Sequence, residues 1–162
     1  MTETPAQIGD RDTDATVVQG GRVKAYRPMP ADERLSALAA GLEAYDRGDA
    51  FLAHELLEPA WMGTRDAAER ELLQGLIKLA AAFVHAARGN PAGVAKNLRG
   101  ARDRLANAAD ADNRARIDVS ALIALIDRRL AAPIDIHDAP IPIPMSLPIS
   151  IERRPTRPTV PD

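Results

Sequence analysis

Residues 70–94 read RELLQGLIKLAAAFVHAARGNPAGV, and this stretch decides the fold. Its first part is apolar on nearly every side, which is typical of a helix in the middle of a bundle with neighbours on several sides. The GNP sequence at 89–91 then supplies a helix stop, an N-cap and a first helical residue, as in a tight antiparallel helical hairpin. The stretch therefore predicts one helix over about 67–88 and another from Pro91 onward.

Leucines at helical spacing continue upstream of this hairpin. From Ala31 they predict a first helix that ends at Gly48, and Asp49 can then cap a second helix over about 50–62. These two helices form a second helical hairpin.

A fifth helix is predicted downstream, where Asp118 or Ser120 can act as its N-cap. Leu and Ala dominate the composition, and the aromatic residues amount to only 3%, which favours packed helices over a β sandwich. The predicted fold is all-α, a compact five-helix bundle over residues 29–132 made of two helical hairpins plus a C-terminal helix, with extended termini.

The two ends of the chain differ from the bundle in composition. Residues 1–28 are polar and lack helical periodicity, so they are expected to form a disordered N-terminal arm. Residues 133–162 hold eight of the thirteen prolines, which excludes a helix and predicts an extended tail. The isoleucines of this tail suggest that it lies along its own bundle or along a partner.

Charge and composition exclude several classes of function. The net charge of -2 argues against nucleic acid as a partner, and no apolar stretch is long enough to span a membrane. The absence of cysteine excludes disulfides, thiolate metal sites and cysteine nucleophiles. We therefore expect a cytoplasmic protein whose chemistry would be carried by histidines, carboxylates and hydroxyls, with a protein partner or homo-oligomer left open.

The second helix carries polar side chains on an otherwise apolar face. His54, Glu58 and Trp61 are separated by four and then three residues, so their side chains leave the same side of the helix. A titratable pair on an apolar face is destabilising unless it is hydrogen-bonded or bound to a ligand. Pro59 lies inside this helix and is expected to kink it, opening space beside Glu58 and Trp61.

One hypothesis is a site for a divalent metal such as zinc, or for a small polar ligand. His54 and Glu58 supply two ligands, whereas a catalytic zinc site typically has three. Glu55 and His85 are the candidates for a third ligand, although Glu55 points about 100 degrees around the helix from its neighbour. The HExxE pattern differs from the HExxH of metalloproteases, because Glu58 replaces the second histidine.

The alternative is a structural or protein-interaction module with a buried polar network. Here Glu58 accepts hydrogen bonds from His54 and from Gln74, while Trp61 fills the core. A further hypothesis is metal-free acid–base catalysis by a partly buried Glu58 beside His54, for which nothing identifies a substrate. A metal-dependent hydrolase ranks third as a function, because the sequence shows no nucleophile or substrate pocket. Gly75, in the middle of the long helix, is expected to let another helix approach, beside Trp61.

The chain resembles a known family through these same residues. The pattern HxxxExxW, formed by His54, Glu58 and Trp61, is similar to the signature of the DUF309 family of unknown function. The similarity covers roughly residues 35–108 and includes the segments GDAFLAHELLEPAW and LLQGLIKLAAAFVHAARGNPAGV. The resemblance implies a compact helical bundle and a metal-binding role for the histidine and glutamate, without a known reaction.

Overall fold

The structure is a computed structural model that describes residues 15–109, 111 and 113–146 of the 162-residue chain. This part of the chain forms five helices preceded by a small two-stranded hairpin, which confirms the predicted helical fold and adds the hairpin to it. The elements are β1 Thr16–Gln19, β2 Arg22–Ala25, α1 Ala31–Asp46, α2 Ala50–Met62, α3 Ala67–Ala87, α4 Pro91–Ala106 and α5 Val119–Leu130.

Helices α2 to α5 start where short polar side chains can satisfy free backbone amides, whereas α1 follows Pro30 and has no side-chain cap. Each of these caps accepts a hydrogen bond from an amide three residues further on, which satisfies one of the N–H groups that a helix start leaves without a partner. The capping residues are Asp49 in α2, Asp66 in α3, Asn90 in α4 and Asp118 in α5. Local chain chemistry therefore accounts for the helix starts that the sequence predicts.

Helix α3 lies at the centre of the bundle. It packs against α2 on one side and α4 on the other, while α1 covers α2 and α5 covers α4. Its apolar residues are buried around most of the helix, as its sequence predicts; they include Leu72, Leu73, Leu76, Leu79, Ala80 and Phe83. Close approach at Gly75 is also observed, but its neighbour is Leu105 of α4 rather than Trp61.

The expectation of a disordered arm over residues 1–28 is wrong for residues 16–25. β1 and β2 pair antiparallel around Gly20 and Gly21, whose φ angles of 56° and 73° are those of a tight two-residue hairpin turn. The glycine pair adopts these positive angles without the steric cost that a side chain would bring. Residues 1–14 of the predicted arm lie outside the described residues.

The first part of the Pro-rich tail lies along its own bundle. Ile141 is buried, its carbonyl accepts a 2.6 Å hydrogen bond from the Tyr45 hydroxyl, and Met145 pairs with Ile117 through a β-bridge. The described tail contains a hydrogen-bonded turn over residues 135–138 and no helix, and residues 147–162 lie outside the described part. Within that part, no helix is long and apolar enough to cross a membrane.

The buried contact between Tyr45 and the tail predicts a loss of stability at high pH. Burial raises the pKa of the Tyr45 phenol above its ordinary value; nearby Asp46 adds to this effect and Arg129 opposes it. Above about pH 10 the unfolded chain releases the phenolic proton while the folded chain keeps it, so the free energy of unfolding falls by about 1.4 kcal/mol per pH unit. Urea denaturation from pH 8 to 11 measures this slope.

The variant Tyr45→Phe isolates the phenol. It should lose about 1 kcal/mol at neutral pH because the Ile141 carbonyl loses its donor, and its alkaline slope should become shallower than that of the wild type. The chain's other tyrosine, half-buried Tyr26, provides the matched control. Equal slopes for wild type, Tyr45→Phe and Tyr26→Phe would contradict the role given to Tyr45.

Candidate metal centre

Three potential metal ligands meet on α2. His54, Glu55 and Glu58 each offer one ligand atom, and these atoms all lie within 4.8 Å of one another. His54 Nδ1 is 3.4 Å from Glu55 Oε1, and the two side chains are 32% and 53% exposed. Glu58 is half-buried. The group is therefore open to solvent on one side and backed by the bundle on the other.

The local sequence explains how these side chains come together. Glu58 lies one turn beyond His54 on the same face, as the spacing predicts. Glu55 starts further around the helix, but its long side chain reaches back toward the imidazole. Asp49 caps the start of α2, and the helix continues through the exposed Pro59 to Met62. One continuous helix thus carries all three ligands.

The donor set could hold a metal ion. Imidazole nitrogen and carboxylate oxygen are both zinc ligands, and two such atoms on a tetrahedral ion at 2.0–2.1 Å are about 3.3 Å apart. The 3.4 Å separation of His54 Nδ1 and Glu55 Oε1 matches that spacing. Three protein ligands on a tetrahedral ion would leave its fourth coordination position free.

His85, the other predicted ligand, is engaged elsewhere. Its Nδ1 lies 3.1 Å from the Asn90 amide nitrogen, and its ring packs against Gly93 at the start of α4. The ligand group found in the described part of the chain contains Glu55 as its third member and not His85. The rotation of α3 directs His85 toward the helical turn between α3 and α4.

A cavity of about 160 Å³ lies beside the ligand group. One wall comes from α2, and the facing wall comes mainly from α3. The lining includes His54, Glu58, Trp61, Gln74, Lys78 and Asn97. Burial lowers the pKa of Lys78, and the cations Arg104, Lys96 and Lys24 lower it further. The cavity is therefore polar on both sides and large enough for a small ligand.

The polar network of this region differs from the predicted one. Trp61 Nε1 donates to Gln19 Oε1 at 2.9 Å, and Gln19 Nε2 donates to Gln74 Oε1 at 2.6 Å. Among the described residues, no hydrogen bond runs from His54 or Gln74 to Glu58. Trp61 and Gln74 thus belong to a structural network, as the alternative hypothesis expects, but His54 and Glu58 do not.

Sequence reasoning missed Gln19, Arg70 and Glu71, which all belong to this network. Arg70 is 1% exposed, stacks over the Trp61 ring at 4.8 Å, and donates to the backbone carbonyls of Trp61 and Thr64. Burial lowers the pKa of Arg70, and the neighbouring Glu71 partly offsets this. Two features of the sequence could have indicated these residues. One is the VVQGGRV pattern, which is typical of a hairpin, and the other is an arginine at the start of an apolar helix.

Comparison with known proteins identifies the domain. Residues 38–97 match the model of DUF309, described as a domain of unknown function. Neither the curated proteins nor the solved structures contain a match to this chain. The matched region holds the three candidate ligands on α2 together with Trp61 and Gln74, whereas the hairpin and the tail lie outside it. The resemblance carried by HxxxExxW is thereby confirmed: the chain contains a DUF309 domain over residues 38–97.

Proposed function

We propose that this protein is a module that binds a divalent metal of the zinc type through His54, Glu58 and Glu55. The observation that carries the proposal is the meeting of one imidazole and two carboxylates with all ligand atoms within 4.8 Å. The half-exposed position supports it too, because a metal can enter from solvent while the bundle holds the ligands in place. The adjoining cavity of about 160 Å³ would then accommodate a small polar ligand next to the metal.

His54→Ala is expected to weaken zinc binding by more than about 100-fold. The imidazole is the sole nitrogen ligand of the group, and even the loss of a residue that only orients a ligand costs 10–100-fold in affinity. Calorimetric titration of zinc into protein made without an affinity tag measures the change directly. Elemental analysis of the purified wild type gives the occupancy reached in the cell.

Two histidine variants serve as matched controls. His85→Ala and His137→Ala each remove an imidazole that lies outside the ligand group, so their zinc affinity should equal that of the wild type. Negligible binding by wild type and His54→Ala alike would overturn the proposal and favour the structural or protein-interaction alternative. Loss of binding in His85→Ala would show that the third ligand is His85 rather than Glu55.

Metal binding should also appear as added stability. A ligand that binds only the folded chain adds about 2.7 kcal/mol at 100 times its dissociation constant. Thermal melts of the wild type should therefore shift upward with zinc and return to the starting temperature with a chelator. Glu58→Gln should show a much smaller shift, since the neutral amide is a poorer ligand than the carboxylate.

A further inference from the structure

The side-chain amide of Gln19 makes the hydrogen bonds that a bound carboxamide ligand would make. Its carbonyl oxygen accepts from Trp61 Nε1 at 2.9 Å and from Arg70 Nε at 3.2 Å. Its amide nitrogen donates to Gln74 Oε1 at 2.6 Å and to Glu71 Oε1 at 3.1 Å. Both donors and both acceptor positions of one primary carboxamide are therefore used, and the side chain is buried.

The pocket is selective for a carboxamide by its chemistry. It presents two donors on one side and two acceptors, one of them a carboxylate, on the other. A carboxylate ligand would have no proton for Glu71 and Gln74, and an ammonium ligand would have no acceptor for Trp61 and Arg70. A buried donor or acceptor without a hydrogen-bond partner is destabilising. A carboxylate or an ammonium ligand should therefore bind much more weakly than a carboxamide.

The pocket also offers more polar groups than Gln19 uses. Arg70 Nη2 and Glu71 Oε2 are buried and have no hydrogen-bond partner. Buried polar atoms are rarely unpaired, so two such atoms side by side call for a partner, such as a water, an ion or a ligand. These two atoms belong to the side chains that already contact the Gln19 amide, so they extend the same pocket.

The hairpin that supplies Gln19 buries few of its own side chains, and the backbone hydrogen bonds from Arg27 to Met62 and from Met29 to Gly63 begin only after it ends. Gln19 is the single buried residue of β1 and β2, while Val18 and Val23 are each 68% exposed. A two-stranded hairpin is marginally stable in water when it lacks a packed face. The hairpin lies outside the DUF309 domain, whereas all four residues that bind the amide are within it. A removable segment thus covers a built pocket of the domain.

We infer that Trp61, Arg70, Glu71 and Gln74 form a binding site for a primary carboxamide, which Gln19 occupies from within the chain. A small amide ligand displaces Gln19 and releases the hairpin from the bundle. Trp61 and Gln74 also line the cavity beside His54, so this release opens that cavity on a second side. The inference is independent of metal binding, because none of the four residues is one of the proposed metal ligands.

Propionamide is the probe, and Trp61 is the reporter because it is the chain's only tryptophan. In Gln19→Ala the pocket is vacant, so Trp61 emission should shift to longer wavelength and propionamide should reverse the shift with saturation. The wild type should need at least about tenfold more propionamide, since its tethered Gln19 competes at an effective concentration of roughly millimolar. Propionate, which matches propionamide in size, should bind at least about tenfold more weakly than the amide.

A second measurement does not need Gln19→Ala, so the inference can be tested even if that variant does not fold. Saturating propionamide should speed tryptic cleavage at Arg22 and Lys24 severalfold, because the displaced hairpin becomes accessible. Val18→Ala, a change at an exposed position of the same strand, should behave like the wild type in both measurements. Equal effects of propionamide and propionate, or cleavage unchanged by the amide, would overturn the inference.

Discussion

Arg70→Met is expected to lower the free energy of unfolding by about 2–4 kcal/mol. Methionine fills much of the same volume but donates no hydrogen bonds, so the carbonyls of Trp61 and Thr64 lose their donors. Each buried acceptor left unpaired costs about 1–3 kcal/mol, and removal of a buried charge returns part of that cost. Urea denaturation followed by circular dichroism measures the difference.

The size of this effect depends on burial, which a second arginine variant can test. Arg47 pairs with Glu43 on α1, but its side chain is 57% exposed. Arg47→Met should therefore change stability by less than about 0.5 kcal/mol, as is usual for surface ion pairs. Similar losses in the two variants would show that general charge balance, rather than the hydrogen bonds of Arg70, supports the fold.

The helices could be predicted from sequence because each depends on signals close together in the chain. Asn90 caps α4 and Pro91 opens it, and these neighbours act in the same way in any fold. The hairpin also has a local signal, the two-glycine turn. Its attachment, however, depends on Gln19 reaching Arg70, 51 positions further along the chain. The sequence pattern of neither the hairpin nor α3 indicates a contact between residues so far apart in the chain.

The ligand group was predictable to a similar, limited extent. The spacing of His54 and Glu58 fixes their common face because both belong to one rigid helix. Whether His85 joins them depends on how α3 is rotated about its own axis, which is set by packing against α2 and α4 together. The structure turns His85 toward Asn90 and brings Glu55 to the imidazole instead. Contacts within one helix were thus easier to predict than contacts between helices.

Gly75→Val is expected to destabilise the fold by about 3 kcal/mol. A Cβ atom at this position would lie 2.7 Å from Leu105 Cγ and 3.3 Å from the Leu105 backbone nitrogen, well inside normal contact distance. Leu105 is 1% exposed and cannot move aside without disturbing the core between α3 and α4. Overpacking of this kind costs about 1–3 kcal/mol, and the small gain in helix propensity does not offset it.

Gly100→Val is the matched control on the facing helix. Its Cβ would meet Lys78 Cδ at 2.9 Å, but this is the outer part of a flexible side chain that can turn aside. The expected loss is below about 1 kcal/mol, because Lys78 is only half-buried and its flexible side chain can turn into the adjoining cavity. Thermal and urea denaturation of both variants should therefore differ clearly. Equal losses would mean that the valine's backbone preferences, rather than contact with Leu105, decide the result, and α3 would not need glycine to approach α4.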